Sequence, residues 1–134
     1  MKKLSLYVFL VLMWCNVGFA EVYYCSEFGS TGFLPNHNGG YKTTNFNLRK
    51  FKAKIDFENK SYESKDSDFL ISSSQGEGCI GSNWVMTCYN TIGDTIRLSK
   101  EDDGTVKFAQ SYLYGWTGKY ANQISVSYGT CEKF

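Results

Sequence analysis

The fold is decided by the stretch Arg49-Lys50-Phe51-Lys52-Ala53-Lys54-Ile55-Asp56-Phe57, in which apolar and charged side chains alternate. A period of two puts successive side chains on opposite faces, as in an antiparallel strand with one face in the core and one in water. The turn-forming residues 58–61 follow at once, so we expect a hairpin in which Tyr62 lies across from Phe57 on the same face.

A second hairpin is predicted around residues 101–104, which read Glu-Asp-Asp-Gly. A loop of only the last two residues would bring Lys100 against Lys107, and such a like-charge pair is unfavourable. A loop of the last three residues instead pairs Leu98 with Phe108 and places the glycine at the left-handed position of a bulged turn. We therefore expect the three-residue loop.

The period of two recurs along the chain, and no stretch after residue 20 shows the helical period of 3.6. Eight candidate strands are predicted, at residues 22–25, 49–57, 61–65, 69–73, 84–89, 95–100, 105–114 and 123–131. Short connections between them favour an all-β antiparallel meander that forms either a small barrel, lipocalin-like in architecture, or a two-layer sandwich. Residues 26–48, rich in Gly, Asn, Ser and Thr, are expected to form a long loop with at most a short strand near Phe33 or Phe46.

The N-terminus has the pattern of a bacterial signal peptide at residues 1–20. Two lysines precede an almost unbroken apolar run at residues 4–14, which is too short to anchor the chain in a bilayer. Cleavage after Ala20 fits the small residues at that position and two before it. Lipid attachment at Cys15 would need small residues just before it, and Met13 and Trp14 stand there. We therefore expect cleavage after Ala20 to remove Cys15 with the peptide. The expected mature chain is residues 21–134, a single β domain in the periplasm or outside the cell.

The composition indicates a globular protein, with 43% hydrophobic, 17% aromatic and 20% charged residues. Disordered chains are poor in aromatic residues, so this composition excludes a largely disordered protein. The expected mature chain keeps 12 basic and 13 acidic side chains, a net charge of −1. Such a charge argues against nucleic acid or an anionic membrane as the partner.

Four cysteines remain after cleavage: Cys25, Cys79, Cys88 and Cys131. An even number in an exported chain predicts two disulfides, for which three pairings are possible. We favour Cys25 with Cys131, which ties the two ends together, and Cys79 with Cys88, which brackets a turn. A four-thiolate metal site would need close pairs such as C-x-x-C, which are absent, so no metal is expected.

Four sequence features together resemble a group of short exported proteins of marine bacteria. They are the signal peptide, the tripeptide Tyr23-Tyr24-Cys25, the strand ending Ile55-Asp56-Phe57, and the C-terminal Ser127-Tyr128-Gly129-Thr130-Cys131-Glu132-Lys133-Phe134. The resemblance covers most of the mature chain and its motifs are structural. It implies bacterial export, and it carries over no activity and no functional residue.

Catalytic patterns are weak in this sequence. His37 is the single histidine, and because it stands among turn-forming residues we interpret it as an exposed loop residue. Serine and cysteine nucleophiles would each need it as their base. The carboxylate pairs Asp66/Asp68 and Glu101/Asp103 are explained by strand alternation and turn chemistry. We therefore expect no enzyme and no cofactor.

Two features could bind a ligand. The lysines at positions 50, 52 and 54 could meet an anionic sugar or phosphate, but we favour a solvated face that protects a sheet edge. A set of aromatic residues could stack on sugar rings or line a calyx, although core packing is the favoured interpretation. This set comprises Tyr112, Tyr114, Trp116, Trp84 and Tyr128.

Three functional hypotheses follow, in descending order. The first is a binding module for a small apolar or sugar-like ligand. The second, nearly level with it, is an interaction protein of the envelope or cell surface, such as an inhibitor that presents residues 26–48. The third is a hydrolase that uses carboxylates.

Overall fold

The computed structural model of the protein describes residues 20–64, 78–91, 93–113 and 122–134. These residues form nine strands joined by turns, and no helix occurs among them. The strands are β1 (Glu21–Pro35), β2 (Tyr41–Asn45), β3 (Lys50–Asp56), β4 (Ser61–Ser64), β5 (Gly78–Gly81), β6 (Val85–Tyr89), β7 (Thr95–Lys100), β8 (Val106–Tyr112) and β9 (Ile124–Lys133). Residues 1–19 of the expected signal peptide, the expected strand at 69–73, and Tyr114 and Trp116 lie outside the described residues.

The strands form one antiparallel sheet in the order β4-β3-β1-β9-β8-β7-β6-β5, with β2 paired to β1 beside this path. The sheet curls into a nearly closed, eight-stranded barrel. The first strand pairs with the last, as the favoured Cys25–Cys131 disulfide predicts, and the two ends of the path are β4 and β5. Of the two architectures left open by the sequence, the structure shows the barrel.

Strand β1 is far longer than the predicted strand at 22–25, and the expected long loop at 26–48 is wrong. The segment continues β1 to Pro35, turns, and returns as β2. Its glycines reflect close approach between strands: a Cβ at Gly32 would collide with the carbonyl oxygen of Ile124 on β9. Glycine inside a strand often marks such an approach, and here it concealed the strand from sequence analysis.

The two edges of β1 are paired differently. On one edge β9 runs along β1, with a register shift between Glu27 and Gly29. On the other edge the first half of β1 pairs with β3 and the second half with β2. The connection between β2 and β3, residues 46–49, therefore passes the middle of β1 beside Glu27.

The β7–β8 hairpin has the predicted register. Leu98 pairs with Phe108, and Glu101 N donates to Thr105 O at 2.8 Å across a three-residue loop. Gly104 has φ +86°, the left-handed conformation that the bulged turn requires. The three-residue loop is confirmed.

The β3–β4 hairpin differs from expectation in its register. Tyr62 pairs with Ile55, not with Phe57, because the turn takes in Phe57 itself. The turn therefore covers residues 57–60, one position before the expected 58–61. The Asp56 carboxylate accepts a hydrogen bond from Asn59 N at 2.9 Å and so stabilises this turn. Phe57 is nevertheless buried, so its predicted place in the core is correct.

The barrel interior is filled with side chains, as is usual for an eight-stranded barrel. The buried apolar residues are Tyr23, Cys25, Phe51, Ala53, Ile55, Phe57, Tyr62, Met86, Cys88, Ile96, Leu98, Val106, Phe108 and Cys131. Phe51 and Phe108 meet edge to face, with ring centroids 5.5 Å apart. Within the described ranges, no helix is long and apolar enough to cross a membrane.

Both favoured disulfides are present. Cys25 and Cys131 are directly paired positions of β1 and β9, and Cys79 and Cys88 are directly paired positions of β5 and β6. Disulfides form and persist in oxidising compartments, so the fold belongs outside the reducing cytosol.

Candidate functional site

The Glu27 carboxylate is buried where β1 changes partner. Its side chain has no solvent exposure, and Arg49 surrounds it with three donors. Arg49 Nη2 donates to Oε1 at 2.8 Å, Nε donates to Oε1 at 3.2 Å, and the backbone N donates to Oε2 at 2.9 Å. The ion pair fastens the β2–β3 connection to the barrel wall.

Two further donors reach Glu27 from inside the barrel. Gln110 Nε2 donates to Oε1 at 3.0 Å and Ser127 Oγ donates to the same oxygen at 2.9 Å. Burial acts to raise the pKa of the Glu27 carboxyl, but the hydrogen bonds from Arg49 and Ser127 outweigh it and the pKa is lowered. A carboxylate held in its charged form is unsuited to act as a general acid. The arrangement is that of a structural anchor.

The anchored connection carries apolar side chains on the outer face of the barrel. Glu27 N donates to Arg49 O at 3.0 Å, and Phe46 N donates to Ser30 O at 3.0 Å. These bonds fix both ends of residues 46–49 against β1. Phe46 and Leu48 therefore have defined positions although they lie between two strands.

A cleft of about 340 Å³ lies beside this connection on the outer face. We call it the tyrosine cleft; it is lined by Gly29, Ser30, Thr31, Asn45, Phe46, Leu48, Val126 and Tyr128. Three of its apolar side chains are more than half exposed: Leu48 (56%), Val126 (53%) and Tyr128 (57%). The Tyr128 ring lies over Gly29, where an added Cβ would come within 2.5 Å of Cε1. The absence of a side chain at Gly29 thus makes room for the tyrosine.

A more polar cleft of about 440 Å³ lies where β1 begins and β3 and β7 end. Glu21, Asp56, Glu58 and Lys100 are among its lining residues. The hydrogen bond from Lys133 lowers the pKa of Glu21, and the backbone N–H of Asn59 lowers the pKa of Asp56. Both carboxyls are held ionised, which does not suit a protonated general acid.

The structure describes three of the five predicted aromatic site residues, and they do not share a surface. Tyr128 faces outward in the tyrosine cleft, and Tyr112 is half-buried at the end of β8, where it pairs with Ser125. Trp84 is exposed beside the end of β7, where its carbonyl accepts from Lys100 N. Core packing does not account for Trp84 or Tyr128, and ligand binding by the set stays a prediction.

Two residues of the tyrosine cleft, Phe46 and Leu48, were missed by sequence analysis because they lie in the expected loop. The outward direction of Tyr128 did have a signal in the sequence. Alternation from the disulfide-bonded Cys131 puts Ser127 and Ser125 inside the barrel and Tyr128 outside, and the burial pattern of β9 follows this rule.

His37 lies exposed in the turn between β1 and β2, in agreement with its interpretation as a loop residue. The Asn36 side chain organises that turn by accepting from Asn38 N at 3.1 Å and Gly40 N at 2.9 Å. Among the residues the structure describes, no group of three or more His, Cys, Asp or Glu side chains could hold a metal ion.

Comparisons of the chain with protein-family models, with curated proteins and with solved structures find no match. The functional assignment therefore rests on the geometry of the clefts.

Proposed function

We propose that the protein is an exported binding module whose tyrosine cleft takes a small apolar or sugar-like ligand. The observation that carries the proposal is the cluster of Leu48, Val126 and Tyr128, which are large, apolar and exposed together in one concave surface. Single exposed apolar side chains are common, whereas contiguous ones around a cleft indicate a binding surface.

The cleft combines the two kinds of contact that a sugar-like ligand needs. The Tyr128 ring and the apolar side chains beside it offer a surface for the apolar face of a ring or a short chain. Ser30, Thr31 and Asn45 place polar groups along the same cleft. A mostly apolar lining with a few polar groups is typical of small-molecule sites.

The wall of the tyrosine cleft is formed before any ligand arrives. The Glu27–Arg49 ion pair holds residues 46–49 in place, and this segment carries Phe46 and Leu48. A preformed wall lowers the entropic cost of binding, because its side chains need not be ordered by the ligand.

The site lies outside the barrel. A lipocalin-like barrel would hold its ligand within, but Phe51, Met86 and Phe108 are among the side chains that fill this interior. The barrel therefore serves as a rigid support for a surface cleft. The alternative, an envelope interaction protein, stays a prediction. The segment that it would present to a partner is the β1–β2 hairpin, since the expected loop at 26–48 is not formed.

Isothermal titration calorimetry against panels of neutral oligosaccharides and short-chain fatty acids tests the proposal. We expect the wild-type protein to bind a member of one panel and Tyr128→Ala to lose that binding at least about tenfold, since a stacked ring contributes over 1 kcal/mol. Ile80→Ala, at an exposed position on β5, is the matched control and keeps the wild-type affinity. Unchanged binding in Tyr128→Ala, or no binding by the wild type, contradicts the proposal.

A further inference from the structure

Three lysines, Lys50, Lys52 and Lys54, project from the outer face of β3. The expected solvated face is present, because all three side chains are exposed. Strand β3 pairs with β1 from Lys50 to Ile55, and with β4 from Ala53 to Asp56. Protection of a sheet edge by Lys50 and Lys52 stays a prediction, and their position beside β1 allows a second role.

The three lysines have different surroundings. Lys54 Nζ lies 4.0 Å from the Glu63 carboxylate on β4. Lys52 Nζ lies 5.3 Å from the centroid of the Tyr24 ring on β1, a distance at which a cation is attracted to the ring. Lys50 pairs with Ser26 of β1.

A cleft of about 250 Å³ opens between β1 and β3 at this point. Lys50, Lys52, Tyr24 and Ser26 line it, and we call it the lysine cleft. On the β9 side of Tyr24, the directly paired residue is the acidic Glu132. The positive charge is therefore concentrated on the β3 side of Tyr24.

The lysine cleft and the tyrosine cleft lie along the same strand, β1. On β9, Glu132 pairs with Tyr24 in one cleft, and Tyr128 pairs with Gly29 in the other. Four residues of β9 separate the two positions, which is roughly 13 Å along an extended strand. A short chain of sugar rings laid along β1 would contact both clefts.

We infer that the ligand is an acidic oligosaccharide, with a sugar ring in the tyrosine cleft and a carboxylate or sulfate between Lys50 and Lys52. This inference rests on the function proposed above and adds the charge of the ligand. Lysine binds such groups as a point charge, and Tyr24 supplies a second ring for stacking beside it.

Two other anionic partners are disfavoured by the geometry. An acidic peptide that binds as an added strand needs a free sheet edge, whereas the lysine cleft lies on the face between β1 and β3, which are paired with each other there. An anionic membrane is attracted by clusters of about four to eight basic residues, whereas the described part of the β3 surface has three lysines, one of them beside a carboxylate.

The test compares acidic oligosaccharides with neutral ones of the same length. Oligogalacturonate is paired with its methyl ester, and a sulfated oligosaccharide with its desulfated form, by titration calorimetry at low salt. We expect one acidic ligand to bind at least about tenfold tighter than its neutral partner, and the difference to shrink as salt screens the charges.

Two double variants locate the charge effect. Lys50→Gln/Lys52→Gln should lose the preference for the acidic ligand, while Lys42→Gln/Lys107→Gln removes the same charge elsewhere and should keep it. All four lysines are exposed, so circular dichroism should show both variants folded. An unchanged preference in the first variant overturns the inference.

The remaining outcomes separate the inference from the proposed function. If the acidic and neutral partners bind equally and Tyr128→Ala abolishes both, the proposed function holds and the acidic ligand is wrong. If the Lys50→Gln/Lys52→Gln variant loses binding and Tyr128→Ala does not, the proposed function at the tyrosine cleft is wrong. The inference of one ligand that contacts both clefts is then wrong as well. If none of the oligosaccharides binds, or if polyglutamate or anionic vesicles bind as well as the best of them, the inference is overturned.

Discussion

The Glu27 carboxylate shows how one buried charge can organise a surface. It accepts hydrogen bonds from Arg49, Gln110 and Ser127, so it links the β2–β3 connection to β8 and β9. A buried charge is costly unless it is paired and hydrogen-bonded, and here the three donor residues come from different parts of the chain. Phe46 and Leu48 owe their positions in the tyrosine cleft to this anchor.

Glu27→Gln should lower the free energy of unfolding by about 2–3 kcal/mol. The amide carries no charge to pair with Arg49. Its NH₂ group also replaces one acceptor oxygen with a donor, which faces the donor groups of the surrounding side chains. Urea unfolding followed by tryptophan fluorescence measures the change. Glu132→Gln is the matched control: this carboxylate is exposed on β9, so the change should stay within about 0.5 kcal/mol. Equal stabilities of the two variants would contradict the anchor.

At the level of elements, the predictable parts were those whose signals are local. Strand β3 alternates strictly, and the like-charge conflict at Lys100 and Lys107 decided the register of the β7–β8 hairpin. The second half of β1 and strand β2 carry glycine, serine and threonine, which sequence analysis associates with loops. The second half of β1 pairs with β9, which is distant in sequence, and no local pattern reveals that pairing. Strand β2 pairs with β1 in a local hairpin, but its polar residues lack the alternation that marks a strand.

The candidate site was only partly predictable for the same reason. Tyr128 was named as a candidate stacking residue, with core packing as the favoured interpretation, and the structure shows it exposed. Its neighbours Phe46 and Leu48 come to it through the Glu27–Arg49 pair. Such a pair joins positions 22 residues apart and leaves no spacing that marks it. Trp84 and Tyr112 were grouped with Tyr128 by composition, and the strand register separates them.

The two disulfides should contribute unequally to stability. Cys25–Cys131 closes a separation of 106 residues and Cys79–Cys88 one of 9 residues. In the chain-entropy model these loops correspond to about 5 and about 3 kcal/mol. Cys25→Ala/Cys131→Ala should therefore have a lower urea midpoint than Cys79→Ala/Cys88→Ala. The reverse order would show that strain or residual structure governs the bonds instead of loop length.

For the whole molecule, acid should reduce stability. The pKa values of Glu21, Glu27 and Asp56 are all lowered in the folded protein. The hydrogen bond from Lys133 lowers the pKa of Glu21, and the hydrogen bonds from Asn59 lower the pKa of Asp56. Burial acts to raise the pKa of Glu27, but the hydrogen bonds from Arg49 and Ser127 outweigh it. The unfolded chain therefore takes up protons first, at the usual values of 4.5 for Glu and 3.8 for Asp. The stabilisation is complete above these values and is lost as pH falls through the lowered folded values.

Urea unfolding at a series of pH values down to about pH 2 measures this dependence. The free energy of unfolding should be nearly level from neutral pH to about pH 5 and then fall. Glu27→Gln should show a shallower fall, because the carboxyl of Glu27 no longer takes up a proton. A wild-type stability that is constant or rises towards acid pH would exclude this linkage.

The pairing of β1 with β9 has a consequence for how the chain folds. Contacts between residues far apart in sequence form slowly, since a long loop must close before they yield any stabilisation. Strand β1 emerges early during synthesis, yet one whole edge of it is completed only by residues 124–133. The barrel therefore cannot assemble progressively from its N-terminus, and folding is completed only after the last strand has been made.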